Sequence, residues 1–471
     1  MRIVRAAAAA AVVVSPIVTT VATSSPHVSQ VHLALTNAVQ DCPNGVAISF
    51  ASPVAAPYDV QYAIQGHDNW SVRASTYVYY HVKAGRYSYQ SPYLHTAYVC
   101  DLLPQTTYVY SIDNSTKHLF VTPPLVGSRD APTVIGVVGD PGDTSDSSNT
   151  LRNLGQAYRG LATQAIVIAG DYSYANGEHE IWDKWYTVQE DVFSRVPQLG
   201  INGNHETISG HGHTPDSPYA NDFEGEDYVA YLKRTVTPLS VEAKAAKRTY
   251  YSFDLGIVHL VFLDDYVGSQ GNAINTVGTV TWQHERDLQL SWLETDLGRV
   301  NRTLTPWVVV IKHNPFYNTW MDHQCQCSKR KYVVAPEDVE ACWGGHYVAG
   351  SPMYEPACGL QAKFERLFVQ HGVNVVMAGH VHGYERTAPI VDNEFNADKG
   401  VVYVTTGAGG NYEGHAGPRV PGAVPTWSRR ANNKVYGAAK VVATYDWLEL
   451  LWFANTNASD PWDAVTLTRR Q

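Results

Sequence analysis

The rhythm of hydrophobic positions changes near Pro132. From about His32 to Pro124, short runs rich in Val, Tyr and Thr (VAISF, YDVQYAI, STYVYYHV, TAYVC, TTYVYSI, HLFVT) are broken by Gly, Pro, Asn and Asp. With no amphipathic helix between them, these runs predict a small antiparallel β-sandwich, a scaffold or docking element with nothing catalytic in it. The segment TPPLVGSRDAPT reads as a linker. Beyond it, TVIGVVGD, QAIVIAGD, PQLGINGNHE, IVHLVFLDD, WVVVIKH, VNVVMAGH and VVYVTTGAGG are apolar β-branched runs, several ending abruptly in polar residues. Helical patterns such as HEIWDKWYTVQEDVFSRV and HERDLQLSWLETDLGRV fall between some of them. Buried strands alternating with helices predict an α/β domain, in which ligands gather beyond the carboxyl ends of the strands. The expected division is a leader over 1–23, a sandwich over 24–128 and a catalytic domain over 129–471.

Composition narrows the partners. The 471 residues are 44% hydrophobic and 17% charged, which suits a sizeable core and two or three domains. A formal charge of −10 leaves no basic surplus for neutralising a nucleic-acid backbone, yet permits a small phosphorylated substrate. The opening MRIVRAAAAAAVVVSPIVTTVATSS has arginines before an Ala/Val run and small residues after it, the layout of a secretory signal peptide. The alternative, a membrane anchor, is opposed by Ser15, Pro16, Thr19 and Thr20 interrupting the run. A secreted destination favours disulfides among the six cysteines. Cys42 and Cys100 are expected to pair, and Cys325 and Cys327 each to pair with Cys342 or Cys358, a structural zinc site being the alternative for these four. Acceptor sequons at Asn69, Asn114, Asn301 and Asn457 agree with a glycosylating pathway.

The strand ends carry the chemistry. In order they are GDPG with Asp140, GDYSY with Asp171 and Tyr174, GNHE with Asn204 and His205, VIKH with His313, and GHVH with His380 and His382. Each alone has a plain reading as a turn or a hydrogen-bonded histidine. Together, Asp140, Asp171, Tyr174, Asn204, His313, His380 and His382 form a mixed N/O donor set without thiolate. That is too many ligands for one catalytic ion with an open position, and suits two metals bridged by a carboxylate. A turn at His380 lets it and His382 address different ions. A phenolate at Tyr174 needs its pKa pulled down, which a trivalent ion does better than zinc, so Tyr174 points to iron(III).

These five blocks, with GHVHGYER, resemble the purple acid phosphatases within the calcineurin-like metallophosphoesterases, in their larger two-domain plant and fungal form. The resemblance implies an α+β to α/β fold: a fibronectin type III-like β-sandwich, then a catalytic domain of two β-sheets flanked by helices. It implies that Asp140, Tyr174 and His382 hold Fe(III), that Asp171 bridges, and that Asn204, His313 and His380 hold a divalent iron, zinc or manganese. It further implies a secreted acid phosphatase in which metal-bound hydroxide attacks a phosphomonoester, with His205 and His323 as candidate proton donors to the leaving group. A phosphodiesterase or nucleotide pyrophosphatase on the same site, or a non-catalytic secreted binding protein, are the competing readings. Larger family members are often dimers, so a homodimer is possible; no membrane or nucleic-acid partner is expected.

The chain departs from the pattern in one place. Plant relatives often carry a histidine pair nine and ten residues beyond the VxxH histidine, where this chain has Asp322 and His323. Asp322 can orient His323 or repel a phosphate. The segment 322–358 holds four of the cysteines and is expected to form a disulfide-stapled lid beside the substrate site.

Overall fold

A computed structural model describes residues 28–214, 216–269, 278–324, 327–351 and 359–470. The leader expected over 1–23, Cys325 and Cys358 lie outside the described residues.

Two large sheets carry the molecule. The seven-stranded one runs, across the sheet, Tyr251–Leu255, Val258–Phe262, Trp307–Lys312, Val375–Ala378, Val402–Thr406, Tyr384–Thr387 and Ser428–Asn432. Its central strands, from Val258–Phe262 to Val402–Thr406, are parallel. In the ten-stranded sheet Thr133–Val138, Ala165–Ala169 and Gln198–Ile201 are parallel neighbours at the centre.

The near-continuous apolar runs follow from burial on both faces. Val137, Val167, Leu199, Leu260, Val309, Ile311, Met377 and Val404 point into one core between the sheets. Their alternate neighbours turn outward beneath helices. Val138, Ile166 and Ile168 meet Leu151, Leu154, Trp182 and Trp185 of Ser145–Gly155 and Glu180–Phe193. Val261, Val308, Val310 and Val376 meet Leu293, Leu297, Phe364 and Phe368 of Val280–Arg299 and Gln361–Gln370.

The N-terminal strands form two antiparallel layers, as their pattern predicts. Tyr93–Val99, Gly45–Ser52 and Ser29–Thr36 lie in one layer, and Ser71–Ala74, Asp59–Ile64, Thr107–Ile112 and His118–Val121 in the other. The first layer does not stop at a linker, however. Ser29–Thr36 pairs in parallel with Gln198–Ile201, at Ala34 and Gln198, so the ten-stranded sheet runs from the N-terminal part into the strands that bear the candidate ligands. One core cluster holds Val46, Ile48, Tyr110 and Phe120 together with Val137 and Val309. Cys42 and Cys100 are bonded to each other.

Within 322–358, Cys327 is bonded to Cys342, one of the two partners expected for it. Next to that cysteine, Trp343 donates its indole N–H to Asp287 at 2.8 Å and lies under the Arg286 guanidinium. The described part of the insertion is therefore anchored to the helix Val280–Arg299.

That helix is also tied to the edge of the seven-stranded sheet through His259. Its Nδ1 lies 2.6 Å from Asp254 Oδ1 and its Nε2 3.0 Å from Asp296 Oδ2, while Ser252 donates to the other Asp296 oxygen at 2.6 Å. Burial opposes the charge on His259, but the two carboxylates outweigh it and raise its pKa from 6.5 to about 9. Because the folded value is raised, the stability this clamp contributes is complete below about pH 6.5 and is lost as pH rises through about 9. Replacing His259→Gln is expected to lower the melting temperature most below pH 6.5 and to flatten its decline up to pH 9, read by thermal unfolding across that range.

Candidate metal centre

The strand ends converge because the chain turns sharply as each strand stops. Asp140, Asp171, Tyr174 and His380 all adopt left-handed backbone, with φ of 58°, 55°, 59° and 66°. Side chains that would continue the pleat are swung instead toward one point, at a cost of order 1–3 kcal/mol each that the surroundings must offset. Preceding glycines supply the room. A Cβ at Gly170, whose φ is 87°, would lie 2.3 Å from His313 Nδ1. One at Gly379 would lie 2.4 Å from Asp140 Oδ2.

All seven residues expected as ligands are brought together, in two groups. In the first, the Tyr174 hydroxyl lies 3.1 Å from Asp140 Oδ1 and 2.9 Å from His382 Nε2. In the second, Asn204 Oδ1 lies 3.0 Å from His313 Nε2 and 3.2 Å from His380 Nδ1. Asp171 Oδ2 reaches the second group, 3.0 Å from His313 Nε2. Single ligand atoms of Asp171, His313 and His380 all lie within 4.8 Å of one another. The turn at His380 sends it to the second group and His382 to the first.

The electrostatics of the site call for positive charge. Tyr174 is fully buried, and burial with Asp140 and Asp171 beside it pushes its phenol well above 10. Burial also works against the Asp171 carboxylate, but the His313 and His205 imidazoles hold it well below the usual range. In turn Asp171 overcomes the burial of His313 and pushes that imidazole up to about 10.

The two candidate proton donors flank these groups. His205 Nε2 stands 3.7 Å from Asp171 Oδ2, and its Nδ1 is hydrogen-bonded to Asn176 Oδ1. Burial lowers its pKa. The His323 ring packs edge-on against His380, centroids 5.2 Å apart. Neighbouring Asp322 turns away toward the opposite loop, where a Cβ at Gly417 would meet its Oδ2 at 2.7 Å.

Several contributors were not anticipated. The Glu413 carboxylate lies 3.9 Å from both His205 Nε2 and His382 Nε2. Asn411 fixes that loop, donating to the Asp140 carbonyl at 3.1 Å and accepting from Glu413 N at 2.9 Å. Glu206 accepts the backbone N–H groups of Asp171, Tyr172 and Gly203 at 2.8–2.9 Å. Asp265 accepts those of His313 and Asn314, at 2.9 and 2.6 Å, and is ion-paired at 3.0 Å with Lys312, both side chains fully buried. The available signal for Asn411 and Glu413 was position, since GAGGNYEG closes another apolar run; Glu206 stood unused inside GNHE.

The calcineurin-like phosphoesterase profile matches residues 133–384, from the first central strand through the block that bears His380 and His382. The chain belongs to that family, and within it to the purple acid phosphatases. It is 29% identical to the Fe(3+)-Zn(2+) purple acid phosphatase 12 of Arabidopsis thaliana over 79% of this chain and 70% of that one. With purple acid phosphatase 23 of the same plant the identity is 30%, over 72% and 67%. The solved purple acid phosphatase from yellow lupin (Lupinus luteus) seeds superposes with a TM-score of 0.70 at 20% identity, covering 94% of this chain and 75% of that one. This last likeness is one of fold.

The Asp265–Lys312 pair gives a direct test of how the second donor group is held. Asp265→Asn leaves the Lys312 charge buried without its counter-ion and weakens the acceptor for His313 N. A loss of about 3–5 kcal/mol is expected, measured as a lower urea midpoint.

Proposed function

We propose that the chain is a secreted acid phosphatase that hydrolyses phosphomonoesters at a dinuclear Fe(III)–M(II) centre. The observation that carries this reading is the pair of donor groups, Asp140, Tyr174 and His382 in one and Asn204, His313 and His380 in the other, with Asp171 against His313 of the second and its charge acting on Tyr174 and His382 of the first. The set fits two cations. It supplies two carboxylates, a buried phenol that burial alone leaves protonated, and imidazoles aimed inward, with hard O donors and no sulfur. Asp140, Tyr174 and His382 would hold iron(III), Asn204, His313 and His380 a divalent iron, zinc or manganese, and Asp171 both. When bound, such a pair lowers the pKa of water and neutralises phosphate charge. The relative from Arabidopsis thaliana, a Fe(3+)-Zn(2+) purple acid phosphatase, carries iron(III) and a divalent metal in its name.

The chain's own residues complete the task. His205 presents Nε2 toward Asp171 with its other nitrogen held by Asn176, which orients the ring to give a proton to the leaving oxygen. His323, packed on His380, is placed to serve the same oxygen or the phosphate. Glu413 sets the orientation of both His205 and His382 from the side of the first donor group.

Secretion is supported by the leader-like N-terminus, two disulfides and four exposed sequon asparagines, at Asn69, Asn114, Asn301 and Asn457. Among the described residues no helix is long and apolar enough to cross a membrane. A fibronectin type III-like N-terminal domain over 24–128 is supported by two antiparallel layers of four strands each, Thr76–Val78 being the fourth of the first.

Purified protein should be violet, with about two metals per chain including iron. The Tyr174→Phe variant is expected to lose the colour while keeping the fold. A colourless protein with two other metals would discard the ferric assignment, and one that binds no metal after reconstitution would discard the function. A monoester should be cleaved in preference to a bis-ester; the reverse would favour the phosphodiesterase. His205→Ala is expected to lower kcat about 100-fold on a poor leaving group, and less on one that leaves without a proton.

A further inference from the structure

Beside the first donor group stands an aromatic surface that the proposed chemistry does not use. The Tyr412 ring is stacked on His213, centroids 4.8 Å apart and planes 20° from parallel. It stands nearly perpendicular to the Tyr174 ring, centroids 5.7 Å apart. Its hydroxyl accepts the Asn176 amide N–H at 3.1 Å, from the same side chain that holds His205. His213 is braced from behind, with Nε2 3.7 Å from Asp143, itself paired with Lys184 at 2.7 Å. Asn411 ties the loop to Asp140, so the ring's distance from the donor groups is set by backbone and not by a free loop. Despite these attachments Tyr412 remains 41% exposed.

An exposed tyrosine held at its hydroxyl and by rings on two sides has little conformational freedom left to lose on binding. With His213 stacked on the ring, the exposed part of Tyr412 is what remains open to a ligand. Glu413, the next residue, already reaches the histidines of both His205 and His382, so a phosphate at the donor groups places its alcohol portion near this ring. A flat π-face at such a position stacks on an aromatic leaving group and gains nothing comparable from a flexible polyol.

Resting on the phosphatase reading, we infer that Tyr412, backed by His213, is a specificity-determining platform that selects phosphomonoesters whose alcohol portion is a flat aromatic ring. Stacking present equally in the bound substrate and the transition state acts through KM and leaves kcat little changed.

The test compares phenylphosphonate with methylphosphonate as ligands of the metal-loaded full chain, by calorimetry, which requires no turnover. The unmodified protein is expected to bind phenylphosphonate about 10-fold more tightly, the lower range of stacking on an aromatic side chain. Tyr412→Leu, which keeps apolar volume, should abolish that preference; Tyr412→Phe should retain it, and His213→Ala should reduce it. In parallel, Tyr412→Leu should raise KM for phenyl phosphate relative to glycerol 2-phosphate. Lack of a phenyl preference in the unmodified protein, or its survival in Tyr412→Leu, overturns the inference. A phenyl preference that tracks Tyr412 in a protein that cleaves neither ester would uphold the platform and reject the phosphatase reading.

Discussion

Asp140, Asp171 and the Tyr174 phenol share a site sealed from water, and such groups keep or gain negative charge there only against nearby positive charge. The protein's own answer is the imidazoles. Asp171 stays ionised because His313 and His205 face it, and His313 is driven up to about 10 by the same contact. A proton on His313 thus occupies the role of a cation between Asp171 and Asn204. A metal ion held there would displace that proton, and ionisation of Tyr174 as a ligand would release another. Cation uptake at this site is therefore coupled to pH through the ligands themselves.

The same constraint explains the backbone. A carboxylate aimed at a metal from a strand end also has oxygens to spare, and here those oxygens stitch the turns together. Asp140 Oδ2 accepts His380 N at 2.7 Å, and Asp171 Oδ1 accepts His205 N at 2.9 Å. The first of these bonds crosses from the ten-stranded sheet to the end of a strand in the seven-stranded sheet. Asp140, Asp171 and Asn204 follow strands of one sheet, while His313, His380 and His382 follow strands of the other. The packing of the two sheets on their common core consequently sets the separation of the ligands. The left-handed turns at Asp140, Asp171 and His380 are offset in part by these carboxylate bonds.

What the sequence displayed was this periodic part. Apolar runs ending in Gly-Asp, Gly-Asn and Gly-His announce both a buried strand and a forced turn, so the strand ends and the seven residues that converge there were legible together. The splitting of His380 from His382 followed from one turn. The continuation of the sheet through Ala34 and Gln198 was not legible, because a parallel pairing between distant segments leaves no local mark on either. Nor were the supports. Asp265 and Glu206 serve backbone N–H groups that only the folded turns bring together, and Asn411 and Glu413 act from an irregular loop after Val402–Thr406 where no alternation marks the inward side.

The rim of the site is built differently from its floor. Met321 N donates to the Pro418 carbonyl at 2.9 Å, and Trp320 bridges to Arg419, so the segment that carries His323 is tied to the stretch that follows Tyr412 and Glu413. Arg419 reaches on to Thr319 and Glu385, at 2.7 and 3.2 Å, and so anchors this joint to the seven-stranded sheet. Asp322 points into the joint, not at the donor groups, which relieves the repulsion that a carboxylate would otherwise exert on a phosphate. With the floor fixed by the two sheets and the rim fixed by loop-to-loop contacts, Tyr412 joins the two: its hydroxyl accepts from Asn176, which holds His205, and its ring meets Tyr174, so a change there is felt at both.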